Sequence, residues 1–299
     1  MMDVDYFVGK RYNSIPIKHF DITILRNKPS VQGNGISVAV MAPSGSGKSW
    51  VVRAILEEIK DYPCGIIISE MEHADVEPFY GKFCPDTYIY DKFSIDIISK
   101  VLERQEQICY LAQEQKEKGI DIDTRFFLVM DDCYSEANIW THNSAMRKLL
   151  FEGRHLNITF ILTMQYPLGI TPDLRANFTY VFILAEDKVT NLKKIREHYA
   201  GMFPSYDAFV QVFSQLVKDH GCMVIKNRGV VGSLLNKIFY YKAPDLTNVH
   251  FTIGCKQYIK FHDVNYRDKN KRKNIINVNE LFANAKKSKE QITVNIKKH

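Results

Sequence analysis

The chain has 299 residues, of which 45% are hydrophobic and 25% charged, with a formal net charge of +6. These are ordinary globular values, and the length suits one large domain or two modest ones. No apolar run approaches the ~20 residues of a membrane-spanning helix, and Met1-Met2-Asp3-Val4-Asp5 lacks the basic and apolar parts of a signal peptide.

The expectation is therefore a soluble protein of a reducing compartment. Its six cysteines (Cys64, Cys84, Cys109, Cys133, Cys222, Cys255) are scattered, with no CxxC pair and no flanking His pairs. That spacing argues against a zinc site or a disulfide framework and for reduced, mostly buried thiols. The basic charge is concentrated at one end. Residues 255–299 hold ten Lys and two Arg against two Asp and two Glu, a net +8, which leaves −2 for residues 1–254. Such a terminus either binds nucleic acid or is a solvated extension.

Taken in order, residues 15–25 alternate well enough for a strand, and Pro16 places it at a sheet edge. Residues 26–35 read as a loop. Ile36-Ser37-Val38-Ala39-Val40-Met41 is the first core strand. Ala42-Pro43-Ser44-Gly45-Ser46-Gly47-Lys48-Ser49 follows, and a helix over 48–60 begins at its end. Strand, Gly-rich loop, Lys-Ser and helix together are the context of a phosphate loop. Small residues let the loop from Pro43 to Trp50 turn its backbone N–H groups, which Pro43 itself lacks, toward phosphate oxygens, and the helix start adds partial positive charge. Lys48 would reach the β and γ phosphates of ATP, and the Ser49 hydroxyl would ligate Mg²⁺. Ala42 stands where the pattern has its first Gly. A Cβ tolerates positive φ poorly, so ordinary dihedrals are expected there.

Gly65-Ile66-Ile67-Ile68 is a short continuous apolar run, typical of a strand buried on both faces, and residues 69–74 are a loop. Residues 87–90 form a further short strand, and 94–118 a long helix with Ile95, Ile98, Val101, Leu102 and Ile108 on its apolar side. Arg125-Phe126-Phe127-Leu128-Val129-Met130-Asp131-Asp132 is an apolar strand ending in two carboxylates. A helix over 136–152 precedes another buried strand, Asn157 to Gln165. A short helix over 172–176, a strand over 180–184, helices over 187–199 and 204–218, and a hairpin from 222–225 and 237–241 complete the pattern. Beyond about residue 250 the sequence becomes polar and Lys/Asn-rich, the composition of a tail flexible at its end. There is no internal repeat.

Strands alternating with helices predict an α/β fold, a mainly parallel sheet covered on both faces, with ligands at the carboxyl ends of strands. The Lys48 loop, Asp131-Asp132 and Gln165 all fall at such ends. Asp131 could hold the Mg²⁺ water shell beside Ser49, although a strand-end carboxylate can also simply be solvated. Asp132 is the first choice for the group that orients the attacking water, with Glu70 second. The Gln165 amide could bond the γ-phosphate or the water, or cap a loop. Arg154 precedes its strand, at the opposite end, and should not reach its own subunit's nucleotide. It could reach a neighbour's as an arginine finger, with Arg147 and Arg175 as competitors; from position alone each reads as a surface arginine. Lys188, Lys193, Lys194 and Arg196 make a basic helix stretch, usually a solvated face. In a DNA-binding protein these residues and the tail would contact phosphates.

The segment Gly153-Arg154-His155-Leu156-Asn157-Ile158-Thr159-Phe160-Ile161-Leu162-Thr163-Met164-Gln165-Tyr166-Pro167, continuing to Asp173-Leu174-Arg175-Ala176-Asn177-Phe178, resembles the FtsK–HerA superfamily of DNA-pumping ATPases. In that superfamily an arginine-bearing segment precedes a strand ending in Gln, and an Ala-Asn segment precedes the next strand. Within it the chain is most similar to the genome-packaging ATPases of nucleocytoplasmic large DNA viruses. Those share the Gly-Ser-Gly-Lys loop, the double carboxylate and a late aromatic strand like Lys237-Ile238-Phe239-Tyr240-Tyr241-Lys242-Ala243. The resemblance spans roughly 36–243.

It implies a RecA-like P-loop domain over 36–250, with a segment carrying an edge strand over 1–35 and a basic tail over 251–299. It further implies ATP hydrolysis coupled to moving double-stranded DNA in a ring of identical subunits, in the infected cell's cytoplasm or the virion, with capsid proteins as partners. Lys48 and Ser49 then serve nucleotide and Mg²⁺, Asp131 the metal, Asp132 catalysis and Gln165 sensing, and Arg154 becomes the preferred trans finger. The superfamily often has Glu where this chain has Asp132. A small-molecule P-loop kinase and a nucleotide-switched docking module are the alternative readings of the phosphate loop.

Overall fold

The computed structural model describes residues 15–29, 33–70, 72, 78–133, 142–229 and 234–266. At its centre is β2 (Ser37–Met41), buried at every position. Val38 and Val40 face one side and Ala39 and Met41 the other, as alternation along a strand requires. β2 runs through the phosphate loop into α1 (Lys48–Glu58). Then come β3 (Cys64–Ser69), β4 (Ile89–Tyr90), α2 (Ile95–Lys116) and β5 (Phe126–Asp131). The second half contains α3 (Ser144–Glu152), β6 (Ile158–Met164), α4 (Pro172–Arg175), β7 (Tyr180–Ile183), α5 (Val189–His198) and α6 (Tyr206–Leu216). β8 (Gly221–Lys226), β9 (Ile238–Lys242) and α7 (Lys256–Asn265) follow, and β1 (Lys18–His19) precedes them all.

Among the described residues these strands form one sheet in the order β1-β9-β8-β7-β2-β6-β5-β3-β4. β8 runs antiparallel to both neighbours, and every other pair is parallel. The expected α/β architecture and terminal hairpin are therefore present. β2 lies between β6 and β7, with Met41 level with Met164 on one side and Ile183 on the other. The chain leaves β2 past β6 and β5 to reach β3, and later returns from β6 over β2 to β7. Such a switch in strand order opens a crevice at the carboxyl ends, where the phosphate loop sits.

Two apolar layers cover the sheet. On one face α1 packs Val51, Val52, Ile55 and Leu56 onto Val38, Val40, Val129 and Phe182. On the other, α2, α3, α5 and α6 bring Ile98, Leu102, Leu149, Leu192 and Phe209 over Met41, Leu128, Phe160 and Leu162. Each fully buried aliphatic side chain contributes on the order of 2 kcal/mol from apolar area. Together they fix the strand ends that carry the polar residues.

Two expectations are corrected. The strand read over 15–25 shrinks to the two residues of β1, which pairs with β9 at the sheet edge. Ile22–Leu25 instead forms a 3₁₀ turn, begun by Asp21, whose carboxylate accepts the Thr23 N–H at 3.0 Å. Further on, residues 251–266 are folded onto the domain rather than beginning a tail. Tyr258 is buried, stacks on Tyr88 with ring centroids 3.7 Å apart, and donates to the Gly65 carbonyl at 2.8 Å. Gly254 and Cys255 N–H groups bond Lys60 and Pro63 carbonyls. The rest of the basic tail, and the stretch 134–141 at the start of the helix expected over 136–152, lie outside the described residues.

Candidate active site

The phosphate loop owes its shape to two glycines. Gly45 has φ +76° and Gly47 φ +95°, the left-handed region where a Cβ is strained. Gly47 caps α1, and the Trp50 N–H returns to its carbonyl at 3.1 Å, so in the first turn it is the Lys48 and Ser49 N–H groups that lack partners within the helix. Ala42 is buried at the end of β2, has no positive φ, and donates its N–H to the Met164 carbonyl at 3.0 Å. It continues the sheet ladder for one residue more, which is why alanine serves in place of glycine. Lys48 is 5% exposed and donates to the carbonyls of Ala42 and Pro43 at 3.1 and 3.2 Å. Ser49 is half-buried in the first turn of α1, and Trp50 is exposed beside it. Pro43 and Ser46 are half-buried, whereas Ser44 is exposed.

The carboxylates arrive from β5. Asp131 is buried; it accepts the Tyr80 hydroxyl at 2.8 Å and the Thr163 hydroxyl at 2.6 Å. Burial pushes its carboxyl above the ordinary value, against the opposing pull of those two hydrogen bonds. Asp132 turns out of the strand with φ +51°, a left-handed conformation that costs a non-glycine residue roughly 1–2 kcal/mol. Its N–H donates to Thr163 Oγ1 at 2.9 Å. The turn brings its carboxylate to 3.8 Å from the Lys48 ammonium, and Oδ1 is buried without a hydrogen-bond donor. Lys48 and the two carboxylates are thus gathered at one place. Tyr80 and Thr163 were not singled out from the sequence, because a threonine within an apolar strand reads as a β-branched strand residue.

The remaining predicted residues are placed as follows. Gln165 follows β6 directly, next to the start of the phosphate loop, and its side chain is exposed. Glu70 follows β3, one strand beyond β5. Arg154 lies before β6, at the opposite end of the sheet, and is exposed, its Nε 3.3 Å from the His155 ring. Of its competitors, Arg147 pairs with Asp173 at 2.8 Å, and buried Arg175 donates to the Ile170 carbonyl. On α5, Lys194 lies over the Tyr166 ring, Arg196 donates to the Phe203 carbonyl and Lys193 is exposed, as is Lys188 at the cap just before the helix.

A cavity of about 390 Å³ opens beside the loop. Gly47, Trp50, Leu184, His220, Pro244 and Thr247 are among its walls. Its size is that of a small-molecule site, and its mixture of apolar surface with a few polar groups suits a heterocycle. His220 and residues 243–247 are far from the loop in sequence, so no local pattern announced them.

The oxygen donors of Ser49 and Asp131, next to the orphaned Asp132 Oδ1, fit a hard cation such as Mg²⁺. Among the described residues no cluster of three His, Cys, Asp or Glu side chains could hold a metal by itself.

No protein-family model matches the chain. The uncharacterized protein L437 of Acanthamoeba polyphaga mimivirus is 34% identical over 289 residues, which are 96% of this chain and 98% of L437. The uncharacterized protein 015R of Frog virus 3 is 30% identical over 251 residues, 83% of this chain and 74% of 015R. Among solved structures, the pCW3 conjugation coupling protein TcpA, with ATPγS, gives a TM-score of 0.53 at 12% identity, over 83% of this chain and 75% of that one. That likeness is one of fold, and the fold is that of a P-loop ATPase.

Proposed function

The chain belongs to the viral family that includes mimivirus L437 and Frog virus 3 015R, and from that premise we propose that it is an ATP-hydrolysing motor that moves double-stranded DNA, in viral genome packaging. The observation that carries the reading is the convergence of Lys48, Asp131 and Asp132 at the carboxyl ends of β2 and β5, with Arg154 at the far end of β6. A phosphate-binding loop alone would serve a kinase or a switch equally well. A strand-end carboxylate pair beside the loop lysine, with an arginine facing away from it, suits hydrolysis completed by a neighbour.

In this reading the triphosphate lies along the loop from Pro43 to Trp50, against the N–H groups of Ser44 to Ser49, and its adenine enters the cavity beside Trp50 and Leu184. Lys48 leaves the Ala42 and Pro43 carbonyls for the β and γ phosphates. Ser49 and Asp131 hold Mg²⁺, which supplies neutralisation of phosphate charge when bound. Asp132 orients water toward the γ-phosphorus, and its Oδ1, short of a donor, is available to accept that water's proton. Gln165 senses the γ-phosphate. Arg154 reaches the nucleotide of the next subunit in a head-to-tail ring. The exposed Lys188 and Lys193 and the basic tail contact DNA phosphates, with affinity falling steeply as salt rises. Such a motor works in the host cytoplasm or the virion, in contact with capsid proteins.

The test is displacement of a third-strand oligonucleotide from duplex DNA by the full-length protein. ATP-dependent displacement, absent in Lys48→Ala, is expected. Phosphate transfer to a small acceptor, insensitive to DNA, would replace the motor with a kinase. Tight ATP binding without turnover would replace it with a docking switch.

A further inference from the structure

At the end of the sheet opposite the phosphate loop, a second open cleft of about 530 Å³ is bordered by Asn27, Asn34, Arg154, Thr179 and Arg228. Its shape depends on Gly35, where a Cβ would stand 2.3 Å from the Ile158 carbonyl oxygen and 2.7 Å from Arg154 Cα. The Gly35 N–H donates to the Arg154 carbonyl at 2.9 Å, fixing the backbone from which that arginine projects.

Arg228 comes to the same cleft from the end of β8. That strand is antiparallel to β7, so its last residues lie at the amino-terminal edge of the sheet. The segment Ala176-Asn177, prominent in the sequence yet absent from the roles given above, holds this side chain. Arg228 Nε donates to the Ala176 carbonyl at 3.2 Å, and Nη2 donates to Asn177 Oδ1. Next to it, the Asn227 side chain bonds the carbonyls of Arg175 and Phe178. The guanidinium is thus aimed by a built scaffold. Burial and the like charge of Arg154 both disfavour its charged form. Among the described residues, no carboxylate pairs with either arginine.

Two guanidinium groups brought together, with no carboxylate paired to either among the described residues, make a site for an oxyanion, and arginine forks suit phosphate oxygens. The chain's own triphosphate cannot be that anion. β6 separates the two ends of the sheet by its seven residues, about 20 Å at strand rise. A second copy stacked head to tail would present a triphosphate at its carboxyl-end crevice, and repetition of that contact makes a ring when the rotation between copies closes. We propose that Arg228, positioned by Ala176 and Asn177, is a second trans cation that joins Arg154 in binding the phosphates of the nucleotide held by a neighbouring copy of this chain. The inference rests on the functional reading above and adds a residue to it.

The test uses the full-length protein with ATP and reads turnover in mixed subunits. Arg228→Ala alone is expected to lower kcat about tenfold or more, while leaving the Kd for a fluorescent ATP analogue within about twofold. Mixing Arg228→Ala with Lys48→Ala subunits should restore turnover, highest near equal amounts, because each supplies what the other lacks. Arg228→Lys, which keeps the charge, should fall between wild type and Arg228→Ala, and a melting temperature close to wild type excludes misfolding. Unchanged turnover in Arg228→Ala, or no recovery at any ratio while wild type and Arg228→Ala form mixed rings, overturns the proposal alone. Loss of DNA affinity with intact DNA-free turnover also overturns it and makes the cleft a DNA phosphate site. Absence of turnover in wild type overturns the functional reading, and this proposal with it.

Discussion

The Thr163 hydroxyl donates to Asp131 Oδ1 at 2.6 Å, and its own oxygen, Oγ1, accepts the Asp132 N–H at 2.9 Å. One side chain on β6 therefore fixes both carboxylates at the end of β5. Thr163→Val keeps the shape and removes both bonds. It leaves a buried acceptor short of a donor, so a loss of about 1–3 kcal/mol of stability is expected. ATP turnover should fall by more than ATP affinity, since the carboxylates act on the reaction more than on binding. Urea unfolding and steady-state kinetics on the same preparation check both; unchanged kcat would remove Thr163 from the site.

The phosphate loop distinguishes two small residues. Ala42 sits in an ordinary conformation, so Ala42→Gly should leave ATP affinity within about twofold of wild type. Gly47 has φ +95°, and an added Cβ would lie 3.7 Å from Leu184. Gly47→Ala should weaken ATP binding about tenfold or more, through backbone strain rather than crowding. Nucleotide titration of both variants checks the pair.

Arg154→Ala and Asp132→Ala should each be inactive, and their mixture should regain turnover if Arg154 acts across a subunit boundary. Failure to recover over a range of ratios, with mixed rings demonstrated, would place Arg154 outside the reaction.

Burial pushes the Cys84 thiol up to about 12 and raises that of Cys222 as well. Both should resist iodoacetamide in the native protein at pH 8 and react once it is unfolded. The sign of the linked stability follows. Below the unfolded value of 9.0 both states keep the proton; above it the unfolded state loses the proton first, and stability falls as pH rises toward about 12. Mass spectrometry of the labelled sites checks the first statement, and urea midpoints across that interval check the second.

Much of this was legible in the chain. The continuous apolar runs that became β2, β3, β5 and β6 could hardly be anything but doubly covered strands, and Lys48, Asp131 and Asp132 stood at their ends. What stayed hidden has physical causes. Phe20 and Leu25 are buried, but at a five-residue spacing that no strand would give one face, because the Asp21 cap turns the chain between them before a long strand can form. α7 buries little besides Tyr258, so its periodicity was too weak to separate it from a tail. Thr163, His220 and Arg228 acquire meaning only from strand order, because each meets partners distant in sequence across the sheet.

The central claim is tested most directly by ATP turnover measured over a grid of protein and double-stranded DNA concentrations, with Lys48→Ala alongside. The account predicts that turnover per subunit rises with both and that Lys48→Ala stays at background. Turnover that ignores DNA and protein concentration, or survives in Lys48→Ala, would contradict it.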